Sequence, residues 1–176
     1  RIITLIGKNG CGKTQLLSKL PLELSQKNQE FFYPKLLQFG KIIAVSYSIF
    51  DNFTLPKPDF DFNYISCSLR DDSGKLLTKE DLTTRLIQSC RKVQEANRTK
   101  KWLKTISTFL DEDIVQNLIS ENDSQIRNIN LTKISDTLKI FSSGQNILLN
   151  IITEIIKNIR YDSLIIYDEP ETHLHP

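Results

Sequence analysis

There is no methionine in this chain, and there are only three cysteines and two histidines. No stretch is long and apolar enough to cross a bilayer, which leaves no membrane association to explain. Cys11, Cys67 and Cys90 are an odd count without metal-type spacing, and no signal peptide precedes them. That argues against a disulfide framework and for free thiols in a reducing cytoplasm. Charge of one sign is lacking as well: 23 Lys and Arg face 21 Asp and Glu, a net charge of +2. No whole-molecule field therefore draws the chain to nucleic acid, and any such contact must be a local patch. No repeat or low-complexity segment stands out.

What is present suits one soluble globular domain without setting its fold class: 176 residues, 39% hydrophobic and 25% charged, are enough to bury a core. An apolar strand pattern begins at once (Ile2, Ile3, Leu5, Ile6), and another ends shortly before Pro176. A sheet bounded by those two strands would lack neighbours on both sides, so the chain reads as part of a longer protein.

Arg1 to Gly7 predicts a strand, followed by a Gly-rich turn and a helix carrying Leu16, Leu17 and Leu20 that Pro21 breaks or deflects. Lys41 to Tyr47 reads as a buried strand, and Tyr64 to Leu69 as a short one before a turn at Asp71 to Gly74. Thr78 with Asp81 predicts a capped helix start, and Leu82, Leu86, Cys90 and Val93 then share one face. Trp102, Ile106, Phe109 and Leu110 continue an apolar face, Asp111 to Ser120 predicts another helix, and polar residues 121–130 form the best internal linker. Leu164 to Tyr167 is an apolar strand ending in Asp168, Glu169 and Pro170. The predicted organisation is an α/β core from residues 1–47 and 141–176, interrupted by an insertion, 48–140, with an aromatic-rich loop and a helical lobe.

Gly7, Lys8, Asn9, Gly10, Cys11, Gly12, Lys13 and Thr14 (GKNGCGKT) match G-x-x-x-x-G-K-[ST] in full, with a strand expected before and a helix after. Glycines let the backbone curl so that its N–H groups point inward, and the helix terminus adds the positive end of its dipole. Lys13 would reach the β- and γ-phosphates of ATP, and the Thr14 hydroxyl would hold Mg²⁺, a hard cation that takes oxygen ligands. The paired carboxylates after the last strand supply the complement: Asp168 as a Mg²⁺ ligand, directly or through water, and Glu169 as the catalytic base for the attacking water.

Phe141 to Gln145 (FSSGQ) admits two readings. Ser142 with Gln145 three residues later is a capping box opening the helix of Asn146 to Ile159. The uncapped N–H groups of such a terminus also suit a γ-phosphate.

In their order along the chain, GKNGCGKT, FSSGQ and the acidic strand end resemble the ATP-binding cassette ATPases, a P-loop NTPase fold. The resemblance implies that Ser142, Ser143, Gly144 and Gln145 form a signature loop completing the ATP site of a second copy, in a head-to-tail homodimer or higher homo-oligomer. DEPETHLHP (168–176) and AVSYSIFDNF (44–53) further resemble Septu- and retron-associated defence ATPases and the ATPase domain of overcoming-lysogenization-defect nucleases. This implies a sensor or regulator of an HNH-type nuclease subunit in antiviral defence. The alternatives are an ATPase fused to its nuclease and a DNA-repair or chromosome-organising ATPase, although the Lys79 to Leu118 region has no sustained heptads for a coiled coil. Transporters and repair ATPases usually carry a glutamine after the second strand; here none follows Tyr47, so that Mg²⁺-sensing role has no owner.

Weaker features each have an ordinary reading beside the functional one. His173 and His175 suit packing or dimer contacts better than a metal. Arg98, Lys100, Lys101 and Lys104 around Trp102 suit a solvated helix face better than a nucleic-acid contact. Phe50, Phe53, Phe60, Phe62 and Tyr64 read as core or interface residues. Cys11 is either a thiol activated beside Lys13 or one pointing into the core behind the loop.

Overall fold

A computed structural model describes residues 2–8, 10–25, 39–47, 64–71, 73–121, 127–168 and 170. Helix α1 (Lys13–Ser25) is followed by strands β1 (Lys41–Ser46) and β2 (Tyr64–Ser68). Helices α2 (Lys79–Glu95), α3 (Thr99–Ile106) and α4 (Glu112–Asn117) come next, then the short strands β3 (Ile119–Glu121) and β4 (Arg127–Ile129). Helices α5 (Ile134–Ile140) and α6 (Ser143–Asn158) lead to β5 (Ser163–Tyr167).

KIIAVS is apolar at nearly every position because it is covered on both faces. It forms the centre of a parallel sheet of order β2-β1-β5, with Val45 in register with Cys67 on one side and Tyr167 on the other. Strand alternation sends Ile42, Ala44 and Ser46 to one face and Ile43, Val45 and Tyr47 to the other. On the first face Leu17, Leu20 and Leu24 of α1 pack against Ile42, Leu164 and Ile166. On the second, Ile147, Ile151 and Ile155 of α6 pack against Ile43, Val45 and Tyr167. The result is a three-layer α/β/α core.

The opposite side of α6 carries the helical lobe. Leu149 and Ile156 join Leu86, Cys90, Val93, Trp102, Ile106 and Leu138 in a second core. Polar ties lock it: the Trp102 indole N–H donates to Thr153 Oγ1 at 2.9 Å, and Lys157 Nζ pairs with buried Glu154 at 2.7 Å. Arg98 Nη1 donates to the carbonyls of Ile156 (2.7 Å) and Lys157 (3.0 Å), satisfying the C-terminal end of α6.

Several expectations are met at element level. Thr78 and Asp81 form a reciprocal capping box on α2, and Asp71 with Gly74 (φ 83°) builds the turn before it. Others are corrected. Ile2 to Ile6 form no strand: Ile2 and Ile6 are each 93% exposed, and an apolar alternation becomes a strand only beside a partner, which the described residues do not provide here. Tyr64–Ser68 belongs to the main sheet rather than to the insertion, because it pairs with β1 along its whole length. Pro21 does not break α1, which runs through it to Ser25. At the two ends of the expected linker, β3 and β4 pair antiparallel with Ile119 facing Ile129, and residues 122–126 lie outside the described residues. No helix among the described residues is long and apolar enough to cross a membrane.

Candidate functional site

The Gly7–Thr14 loop leads directly into α1. Gly10 (φ 81°) and Gly12 (φ 93°) take left-handed backbone that side-chain-bearing residues adopt at a cost, and this turns the loop back over the helix end. A Cβ at Gly7 would lie 2.6 Å from the Cys11 sulfur, so a larger residue there would have to displace that exposed thiol. The first intrahelical bond runs from Leu16 N–H to Gly12 O at 2.9 Å. By helix geometry, the N–H groups of Lys13, Thr14 and Gln15 have no acceptor within α1. Lys13 folds back over the loop, its Nζ donating to the carbonyls of Gly7 (2.8 Å) and Lys8 (3.2 Å). The loop thus carries one ammonium, held on its own carbonyls, beside a helix end with three free amides.

Gly7, Lys8, Gly10 and Cys11 are exposed, and Gly12, Lys13 and Thr14 are half-buried. Exposure of Cys11 removes the reading in which its thiol points into the core. The other two thiols differ: burial pushes both Cys67 and Cys90 up to about 12.

Asp168 sits just past the carboxyl end of β5, where parallel sheets bind ligands. Its N–H donates to Val45 O at 3.1 Å, continuing the β1–β5 ladder. Alternation puts its side chain on the face of Leu164 and Ile166, the one that α1 covers. The carboxylate is buried (7% exposed), and its Oδ2 has no hydrogen-bond partner. An unpartnered buried carboxylate oxygen is costly, and a hydrated divalent cation is the kind of group that would satisfy it. Thr14 lies in the first turn of the helix that packs on that face, and its hydroxyl would be the further oxygen. Mg²⁺ commonly takes one or two protein oxygens and completes its shell with water and phosphate, so this donor set fits it. Among the described residues no group of three or more His, Cys, Asp or Glu could hold a metal on its own. Asn9, Glu169, His173 and His175 lie outside the described residues, as do Phe50, Phe53, Phe60 and Phe62.

The FSSGQ stretch caps α6 as expected: Ser142 Oγ accepts from Gln145 N–H at 3.2 Å, and Gln145 Oε1 accepts from Ser142 N–H at 3.0 Å. Ser142 and Ser143 are exposed, and Gly144 and Gln145 are half-buried. Because α6 and α1 cover opposite faces of the sheet, the thickness of the sheet separates this terminus from the Gly7–Thr14 loop of the same chain.

Two other features are placed differently from a binding reading. Trp102 is fully buried and Arg98 is engaged at the end of α6, so neither joins Lys100, Lys101 and Lys104 in a stacking, basic surface. Tyr64 packs in the α1-facing core. Sequence reasoning missed Ser46, whose buried Oγ is also unpartnered. Its sequence signal is a hydroxyl directly after the apolar run Ile42 to Val45.

The chain is 30% identical to Protein ea59 of Escherichia phage lambda over 210 aligned positions, covering 99% of this chain and 40% of that protein. It thus spans less than half the length of this relative. No protein-family profile matches the chain, and no solved structure matches it significantly.

Proposed function

We propose that this chain is an ABC-type ATPase module that binds Mg²⁺ and ATP, hydrolyses the nucleotide and dimerises head to tail around it. The observation that carries this reading is Asp168: a buried carboxylate with an unpartnered oxygen, on the sheet face covered by the helix that the GKNGCGKT loop begins. Loop amides and Lys13 would hold the phosphates, and Thr14 and Asp168 would hold Mg²⁺, which would supply positive charge against that developing on the phosphates. Glu169, the next residue in sequence, takes a proton from the water whose oxygen bonds to the γ-phosphorus as the bond to the β-phosphate oxygen breaks and ADP leaves.

Dimerisation is supported by the opposed positions of α1 and α6. The exposed terminus at Ser142 and Ser143 belongs to the helix on the other sheet face from the chain's own loop, which leaves it to a γ-phosphate held by a second copy. The biological role, a cytoplasmic sensor or regulator of an HNH-type nuclease in antiviral defence, rests on the DEPETHLHP and AVSYSIFDNF resemblance. The aligned relative is itself a phage protein whose name states no activity.

Glu169→Gln in the full-length protein tests the chemistry. Removing the base while leaving the phosphate cradle intact is expected to lower ATP hydrolysis by about 100-fold or more and to let dimers accumulate with Mg-ATP. Hydrolysis at the unmodified rate would overturn the assignment of Glu169. Copurification with products of the neighbouring genes tests the role: a nuclease supports it, and a membrane permease contradicts it.

A further inference from the structure

Two buried oxygens without partners stand on adjacent strands. The bond from Asp168 N–H to Val45 O carries the parallel ladder one step past the Val45–Tyr167 pair, bringing Ser46 alongside Asp168. Both side chains belong to the face that α1 covers, and they are 5% and 7% exposed. Ser46 Oγ and Asp168 Oδ2 each lack any hydrogen-bond partner, and they do not bond to each other. A hydroxyl beside a carboxylate is a good donor, so leaving both unsatisfied at one end of a sheet is unfavourable unless a third polar group belongs between them.

We propose that Ser46 is a positioning residue for the metal held by Asp168, its hydroxyl gripping a water of the Mg²⁺ hydration shell. Mg²⁺ dehydrates reluctantly and keeps several waters, so a second protein oxygen beside its carboxylate ligand acts through water. Outer groups of this kind orient the ligand and set affinity. The hydroxyl would supply from the end of β1 the metal-sensing contact for which no glutamine follows Tyr47. This inference rests on the ATP and Mg²⁺ reading above.

The test is titration of Mn²⁺, followed by electron paramagnetic resonance, into the full-length protein with ATP, alongside ATP affinity measured in EDTA. Ser46→Ala is expected to weaken Mn²⁺ binding by about 10-fold or more while leaving metal-free ATP affinity unchanged, and Ser46→Thr is expected to restore it. Because the hydroxyl has no partner in the protein, Ser46→Ala should melt no lower than the unmodified protein without metal. Unmodified Mn²⁺ affinity in Ser46→Ala overturns the inference alone. A lower metal-free melting temperature with unchanged Mn²⁺ affinity also overturns it, in favour of a structural hydroxyl. If the unmodified protein binds ATP in neither Mn²⁺ nor EDTA, the ATP reading fails first.

Discussion

Cys11 shows how much one side chain can report. Its sulfur lies over Gly7 in an exposed loop beside the start of α1, whereas Cys67 and Cys90 are buried and their thiols are held at about 12. Only a thiolate alkylates readily, so Cys11 should be the thiol modified in the folded protein. A triphosphate seated in the loop would cover the sulfur and surround it with negative charge. Labelling of Cys11 is therefore expected to be fast without nucleotide and slow with Mg-ATP. Mass spectrometry of alkylated peptides checks this, and equal labelling under both conditions would remove Cys11 as a reporter of occupancy. Lys13 is singled out in the sequence by its place in an eight-residue motif, and the structure shows it folded back on the carbonyls of that loop. The pairing of Ser46 with Asp168 is not legible in the sequence, because the two are more than a hundred positions apart and only the β1–β5 register brings them together.

At the scale of elements, what could be read was what is local. The capping boxes of α2 and α6 are four-residue patterns whose reciprocal bonds form within one turn, and both are present. Strand pairing is not local. Ile2 to Ile6 carry the same apolar signal as β1, yet β1 has neighbours on both sides while the first segment lies exposed. Pro21 differs from expectation for a related reason: a proline inside a helix costs about 3 kcal/mol through its lost bond and ring clash, but Leu17, Leu20 and Leu24 pack on the sheet and hold the helix across it.

Cap and phosphate readings of α6 make different demands on Ser142. Aspartate is as good a cap as serine, so Ser142→Asp should leave monomer stability within about 0.5 kcal/mol. It would also place a carboxylate where the partner's γ-phosphate must dock. Sedimentation is expected to show a stable monomer that no longer dimerises with Mg-ATP. Normal ATP-driven dimers of Ser142→Asp would reduce FSSGQ to a helix cap.

At the scale of the whole molecule, the architecture is a parallel sheet between α1 and α6, with the helical lobe built on the outer side of α6. The lobe and the sheet therefore share one helix. Glu154, Lys157 and Ser89 join α6 to α2, and Arg85 of α2 donates to Ser68 O of β2 at 2.9 Å, so displacement of α6 would be felt by the lobe and the sheet edge together. Such a shared element is what a nucleotide-dependent dimer needs if binding at the sheet is to alter a partner elsewhere, since a ligand shifts an assembly only by favouring one of its states.

All of this depends on whether the Gly7–Thr14 loop and Asp168 bind a nucleotide. Equilibrium titration of the full-length protein with a fluorescent ATP analogue and Mg²⁺ measures that directly. Saturable binding that competes with ATP and is lost in Lys13→Ala, with the variant still folded by circular dichroism, is the expected result. No binding by the unmodified protein, or equal binding by folded Lys13→Ala, would contradict the account.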